Sequence, residues 1–375
     1  MIIKNAIVFT EQGTFEKKNI LIEDGLFTEG KDQGEVLDAG GLIAIPGLTD
    51  LHFHGCMGFD FCDGTKEAFH NIVKYQAKQG VTTICPATMT IKEESLFQVC
   101  EEARSFVEKE YSQVQEAKIV GINMEGPFIC GAKKGAQNEG YIRKVDLELY
   151  RNMQKKSGNL IKLVDLAPEL EGAMEFIKAV KNEVVISLAH TSADYDTAMT
   201  AFESGASHVT HLYNAMSPYT HRNPGVIGAA SDSEMCTVEL ICDGIHIHPS
   251  VVRNTFRIFG KKRIALISDS MMATGLSDGE YTLGGKKVYV NGKKATLADG
   301  TVAGSVSNLL DCVRICVKDM GIPLEQAVWS AAVTPAKVLG IFDQYGSITP
   351  GKIANLVLLN KQLEVEQVYV AGIRI

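Results

Sequence analysis

Between residues 48 and 268 the chain repeats one unit eight times: a short run dominated by Val, Ile and Leu, followed in most cases by an amphipathic helical stretch. The apolar runs fall at 48–53, 81–87, 118–124, 161–166, 184–189, 207–212, 236–242 and 263–268. The helical stretches fall at 65–79, 91–109, 146–156, 169–181, 194–203 and 249–259, with Gly80 and Gly205 where helices stop. Near-continuous apolar strands are those covered on both faces, so the strands run parallel with helices outside them. Eight such units predict an α/β chain built as a (β/α)8 TIM barrel. The runner-up, an open doubly wound sheet, calls for a glycine-rich phosphate loop after an early strand. The sequence has no G-x-G-x-x-G and no Walker A pattern.

Both ends of the chain read differently. Segments 2–8, 18–23 and 35–38 are strand-like and separated by turns such as Asp24-Gly25, and 355–359 with 366–370 repeat that character at the C-terminus. Two short β segments bury little alone, so the two ends are expected to fold together into one small β domain. Residues 281–299 break the alternation. Leu283-Gly284-Gly285 and Asn291-Gly292-Lys293 are turn chemistry around a strand-like 287–290, which predicts a β-hairpin insertion. Helices follow at 307–320 and 324–339.

Composition narrows the function classes. The chain has 375 residues, 45% hydrophobic and 22% charged, as globular proteins do. Acidic residues outnumber basic ones, 45 to 37, which argues against a general nucleic-acid binder. The nine cysteines are scattered, mostly inside apolar runs, without a C-x-x-C pair. That fits reduced thiols in a cytoplasmic protein better than a disulfide framework. No apolar leader with a cleavage site and no membrane-length apolar run is present, so neither secretion nor a membrane partner is expected.

In a barrel, chemistry sits where strands end and loops begin. Those positions carry His52-Phe53-His54, Glu125-Gly126-Pro127, His190-Thr191, His211-Leu212-Tyr213-Asn214, Asp243-Gly244-Ile245-His246 and Asp269. A lone histidine at a strand end is usually structural, and Asp269 alone could cap a helix. Imidazoles and carboxylates converging from several strand ends form the ligand set of a divalent metal. The period-two pleat points His52 and His54 to one side. Such a metal lowers the pKa of water towards ~7. A nearby carboxylate then accepts the proton of the attacking water and returns it to a leaving amine. Asp269, at the end of the last strand, is placed for that. The chemistry implied is metal-assisted hydrolysis of an amide or related bond.

With these residues in hand, the chain resembles the amidohydrolase superfamily, and within it the N-acetylglucosamine-6-phosphate deacetylase family. The resemblance spans nearly the whole length. It is carried by Pro46-Gly47-Leu48-Thr49-Asp50-Leu51-His52-Phe53-His54-Gly55, Glu125-Gly126-Pro127-Phe128 with Lys133-Lys134-Gly135-Ala136, and Leu188-Ala189-His190-Thr191. It continues through Thr210-His211-Leu212-Tyr213-Asn214-Ala215-Met216, Arg222-Asn223-Pro224-Gly225, Asp243-Gly244-Ile245-His246 and Gly351-Lys352-Ile353-Ala354-Asn355-Leu356-Val357. The resemblance implies a split β-sandwich domain from residues 1–46 and 344–375, a metal-dependent barrel over 47–343, and a homodimer. It implies that Glu125, His190 and His211 hold the main divalent metal, zinc or alternatively iron. His52 and His54 are retained here and offer a second metal position, so the expectation is one or two ions per subunit.

The substrate implied is a phosphorylated N-acetyl amino sugar, deacetylated to the amino sugar phosphate and acetate. Its contacts would be Ala136, Gln137, Asn214, Ala215, Arg222, His246, Val302, Ala303 and Gly304. Arg222 and His246 would face the phosphate, with Arg222 reaching in from the neighbouring subunit. Gln137 departs from the family, which usually has histidine there. A glutamine amide still donates a hydrogen bond but carries no charge. That departure leaves the galacto epimer as an alternative substrate. A cyclic-amide hydrolase would want a lysine at the fourth strand end, where Ala167-Pro168-Glu169 stands, and a Schiff-base aldolase would want one at some strand end. A non-catalytic binding barrel would show a gap in the ligand set, and the sequence has none.

Overall fold

The computed structural model describes residues 1–30, 34–110 and 116–375. Strands Leu48–Asp50, Val81–Ile84 and Lys118–Ile119 form a parallel sheet, and Ile122–Glu125, Ile161–Leu166, Val185–Leu188, His208–Val209, Thr237–Ile241 and Ile264–Ile267 form a curled six-stranded parallel sheet in chain order. The third strand of the sequence reading is thus divided at Val120 and Gly121. The backbone there passes so close to its neighbour that a Cβ on Gly121 would stand 2.4 Å from Lys162 Cγ. Backbone hydrogen bonds from Asp269 N to His52 O, 3.0 Å, and from His54 N to Ser270 O, 2.7 Å, tie the exit of the last strand to the exit of the first.

The other differences from the sequence reading have local causes. The run 207–212 is strand only at His208–Val209, because His211 turns out of the ladder with φ +28°. The helix expected at 169–181 begins at Ala173, since Glu169 is held in the preceding loop by Thr191 and Ser192. An unanticipated helix, Gly225–Asp232, buries nearly every side and so lacks the polar stripe that marks a surface helix. The insertion is a three-stranded antiparallel sheet, Gly279–Leu283, Lys286–Asn291 and Lys294–Thr296, rather than a hairpin. The stretch 324–339 is helical with a π turn at Trp329–Val333.

The two ends of the chain meet in one sheet. Leu356–Leu359 lies antiparallel on Ile43–Pro46, which pairs with Ile2–Phe9, and Val365–Val370 and Phe15–Glu23 extend the sheet on either side. Alternation along Leu356–Leu359 shows why neither end folds alone. Val357 and Leu359 pack into the main core, while Leu356 and Leu358 join Ile3, Val8, Ile20 and Ala44 on the opposite face. All nine cysteines are unpaired. Among the described residues, no helix is long and apolar enough to cross a membrane.

Candidate active site

The residues singled out at strand ends converge. Glu125 closes the strand Ile122–Glu125, and the chain turns away at once through Gly126, whose φ is +80°. A Cβ there would meet Thr90 Oγ1 at 2.2 Å, so only glycine fits. Glu125 Oε1 lies 3.0 Å from His190 Nε2 and 3.3 Å from His211 Nε2, and these two nitrogens are 3.2 Å apart. His54 Nε2 is 3.4 Å from Glu125 Oε2 and 3.3 Å from Asp269 Oδ1. His52 Nε2 stands 3.6 Å from Glu125 Oε1 and 3.9 Å from Asp269 Oδ1, beyond hydrogen-bond reach of either.

His190, His211 and Asp269 all hold positive φ, at +44°, +28° and +49°. Three non-glycine residues in this sparsely populated region carry local strain, offset by the surrounding contacts. For His190 these are visible. Cys130 N donates to its carbonyl, and Glu169 accepts from the Thr191 hydroxyl and the Ser192 amide.

The donor set fits a divalent metal. Two ligand atoms bound tetrahedrally to one ion at 2.0–2.1 Å stand about 3.3 Å apart. The distances among Glu125 Oε1, His190 Nε2 and His211 Nε2 match that spacing. His190 Nδ1–H donates to the Lys133 carbonyl at 2.8 Å, which turns the Nε2 lone pair inward. His52 Nε2 is buried and has no hydrogen-bond partner. The ligand atoms form two groups, Glu125–His190–His211 and His52–His54–Glu125, each confined within 4.8 Å and sharing one carboxylate.

Beside these groups opens a cavity of about 350 Å³, onto which His54, Glu125, His190, His211, His246 and Asp269 all face. Ala136, Gln137, Asn214, Ala215, Val302 and Gly304 line it as well. Two expected contacts do not. Ala303 is fully buried among Met89, Met271 and Leu283, because Gly304 rather than its neighbour turns to the cavity. Arg222 is exposed and lines a separate surface groove with Ser192, Asp194 and Asn223.

Burial tends to raise Asp269, but the hydrogen bond from His54 and the charges of His52, His54 and His211 hold it below the usual carboxylate range. It is therefore ionised at neutral pH. Burial likewise opposes the charge on His246, and the 2.7 Å hydrogen bond and charge of Asp243 reverse that and raise it.

Gln137 is committed within the protein at both ends of its amide. Its Nε2 donates to Glu125 Oε2 and its Oε1 accepts from Thr90 N, each at 2.7 Å. The sequence reading missed Met89, Lys133 and Leu283 in the cavity wall, and Glu239 behind it. Glu239 had a signal: a carboxylate in the middle of the apolar run Thr237–Ile241 must be partnered inside.

The amidohydrolase family model matches residues 43–374. N-acetylglucosamine-6-phosphate deacetylase of Bacillus subtilis is 37% identical over 97% of this chain and 94% of its own length. N-acetylgalactosamine-6-phosphate deacetylase of Escherichia coli O157:H7 is 30% identical over 97% and 96%. Among solved structures, an aspartate-to-alanine variant of N-acetyl-D-glucosamine-6-phosphate deacetylase from Mycobacterium smegmatis, in complex with N-acetyl-D-glucosamine-6-phosphate, superposes with a TM-score of 0.92. It is 30% identical and covers 100% of this chain and 98% of that one. The ligand groups, the adjoining carboxylate and these similarities together place the chain in the amidohydrolase family, as a hydrolase acting on an amide.

Proposed function

We propose that this enzyme deacetylates N-acetylglucosamine 6-phosphate to glucosamine 6-phosphate and acetate. The observation that carries the reading is the placement of Asp269 3.3 Å from His54 and beside two ligand groups that share Glu125, on a cavity of sugar size. Near-full-length identity to deacetylases of that substrate supports it.

Glu125, His190 and His211 would hold one divalent ion, and His52 and His54 with Glu125 a second. Zinc suits the imidazole-rich set, with iron as the alternative. Bound there, the metal supplies a Lewis acid that polarises the acetyl carbonyl and acidifies water. Asp269, ionised at neutral pH, takes the proton from the attacking water. The same carboxyl then donates to the sugar nitrogen, so that it leaves as an amine. When the second metal position is empty, the His54 contact holds the carboxylate in place. His246, whose proton is held more tightly through its hydrogen bond to Asp243, lines the same cavity and would face the sugar phosphate. Asn214, Ala215, Ala136, Val302 and Gly304 shape the sugar pocket.

In this reading the parallel strands close as a (β/α)8 barrel over 47–343, and 1–46 with 344–375 make a split β-sandwich. The enzyme works in the cytoplasm as a homodimer, with Arg222 of one subunit reaching the phosphate in the other. Its position on a groove away from its own cavity supports that arrangement. The galacto epimer is the second reading, favoured by the similarity to an enzyme of that specificity. Assaying acetate release from the gluco and galacto 6-phosphates side by side tests both. A kcat/KM higher for the galacto epimer would replace the first reading with the second, and release from neither would overturn both.

A further inference from the structure

Glu239 lies mid-strand in Thr237–Ile241, fully buried and away from the cavity surface. One of its oxygens, Oε2, accepts from two sources. His52 Nδ1–H donates to it at 2.8 Å and the backbone N–H of His211 at 3.0 Å. These donors belong to ligands from the two different groups. The other oxygen, Oε1, accepts from His208 Nε2–H at 3.2 Å, and His208 Nδ1 is in turn 2.6 Å from Thr237 Oγ1.

We propose that Glu239 is a positioning residue that makes His52 a metal ligand and thereby decides whether the His52–His54–Glu125 group binds an ion. A neutral imidazole in water prefers no fixed orientation and carries its proton on either nitrogen. The Glu239 carboxylate holds the His52 proton on Nδ1. The lone pair is then left on Nε2, the buried atom without a hydrogen-bond partner that points at Glu125 and Asp269. The negative charge also makes that lone pair a stronger donor. His208 performs the same service one step back by fixing the second carboxylate oxygen. The chain from Thr237 through His208 and Glu239 to His52 has every link inside the fold and none on the substrate.

The inference rests on the metal-hydrolase reading above. Its test is the isosteric variant Glu239→Gln, which keeps the volume and an oxygen for the His211 amide but loses the charge. Metal-free protein would be titrated with zinc by calorimetry, and bound zinc counted by elemental analysis. The wild type is expected to bind two equivalents. In Glu239→Gln the weaker equivalent should lose about 10–100-fold in affinity, the usual scale for a partner behind a ligand, while the tighter one changes little. The second arm is a double-mutant cycle with His52→Asn. If Glu239 acts through His52, adding Glu239→Gln to His52→Asn should leave zinc affinity where the single variant put it. Wild-type zinc binding by Glu239→Gln, additive losses in the cycle, or a wild type that binds a single equivalent would each overturn the inference. A wild type that binds no zinc would instead overturn the metal-hydrolase reading beneath it.

Discussion

Gln137 donates its side-chain amide to Glu125 Oε2 at 2.7 Å, and so orients the carboxylate shared by both ligand groups. The other end of that amide is held by Thr90 N. Replacing Gln137 with leucine keeps the bulk and removes both bonds. Hydrogen bonds to charged groups contribute about 1.5–3 kcal/mol, and a stranded buried N–H costs about 1–3 kcal/mol. We expect Gln137→Leu to bind zinc at least ~10-fold more weakly and to unfold at lower denaturant. Zinc affinity equal to wild type would assign Gln137 to the substrate alone.

Glu125 faces all four ligand imidazoles within 3.6 Å. Glu125→Gln should empty the main position and abolish turnover, and His190→Asn should do likewise. His52→Asn should retain measurable turnover, because His190, His211 and Glu125 remain. Elemental analysis alongside a rate assay decides this, and full metal with full rate in Glu125→Gln would end the ligand assignment.

Asp269→Asn keeps the shape and loses the proton acceptor. The rate should fall by at least ~10²-fold with metal content and folding intact. Asparagine caps a chain turn about as well as aspartate. A folded, metal-replete variant with near-normal kcat would therefore reduce Asp269 to a structural role.

The Asp243–His246 pair sets a pH dependence whose sign follows from the shifts. His246 is raised above its ordinary 6.5. The stability it adds is complete below that value and is lost as pH rises through its folded value. Asp243 is lowered below 3.8, with burial opposing and the His246 hydrogen bond and charge prevailing, so its share is lost only as pH falls through its folded value. The thermal-stability gap between wild type and Asp243→Asn should thus narrow as pH rises above 6.5 through the folded value of His246. Over that rise KM for the phosphorylated sugar should climb as His246 loses its proton, and climb at lower pH in the variant. Superimposable KM profiles would remove His246 from the phosphate.

Arg222 lines a groove apart from its own subunit's cavity. If it serves the partner's site, Arg222→Ala and Asp269→Asn subunits are each poor alone and complement when mixed. The hybrid dimer contains one site with Asp269 and an intact Arg222 from across the interface. Activity regained after mixing and subunit exchange is the expected outcome. Its absence in demonstrated hybrid dimers would place Arg222 elsewhere.

The candidate ligands were legible in the sequence because they sit at the ends of apolar runs whose period and covering helices point to parallel strands. In such a sheet, strand ends must share a rim, so the sequence alone groups His52, His54, Glu125, His190, His211 and Asp269 into one candidate site. The joining of the two chain ends was legible for a similar reason, since neither could bury its alternating faces alone. What tertiary structure decided is how each side chain spends its hydrogen bonds. Gln137 looks like a cavity residue by position, yet folding brings Thr90 and Glu125 within 2.7 Å and commits both ends of its amide. In the sequence Glu239 is one carboxylate inside an apolar strand. Its partners His52, His208 and His211 lie up to 187 residues away along the chain, and no local pattern encodes a contact over that separation. Ala303 and Gly304 are adjacent in sequence, and a bend with φ +66° at Gly304 leaves one in the core and the other at the cavity. Residue type and periodicity name the chemistry a strand end can offer, and long-range packing assigns each donor and acceptor its partner.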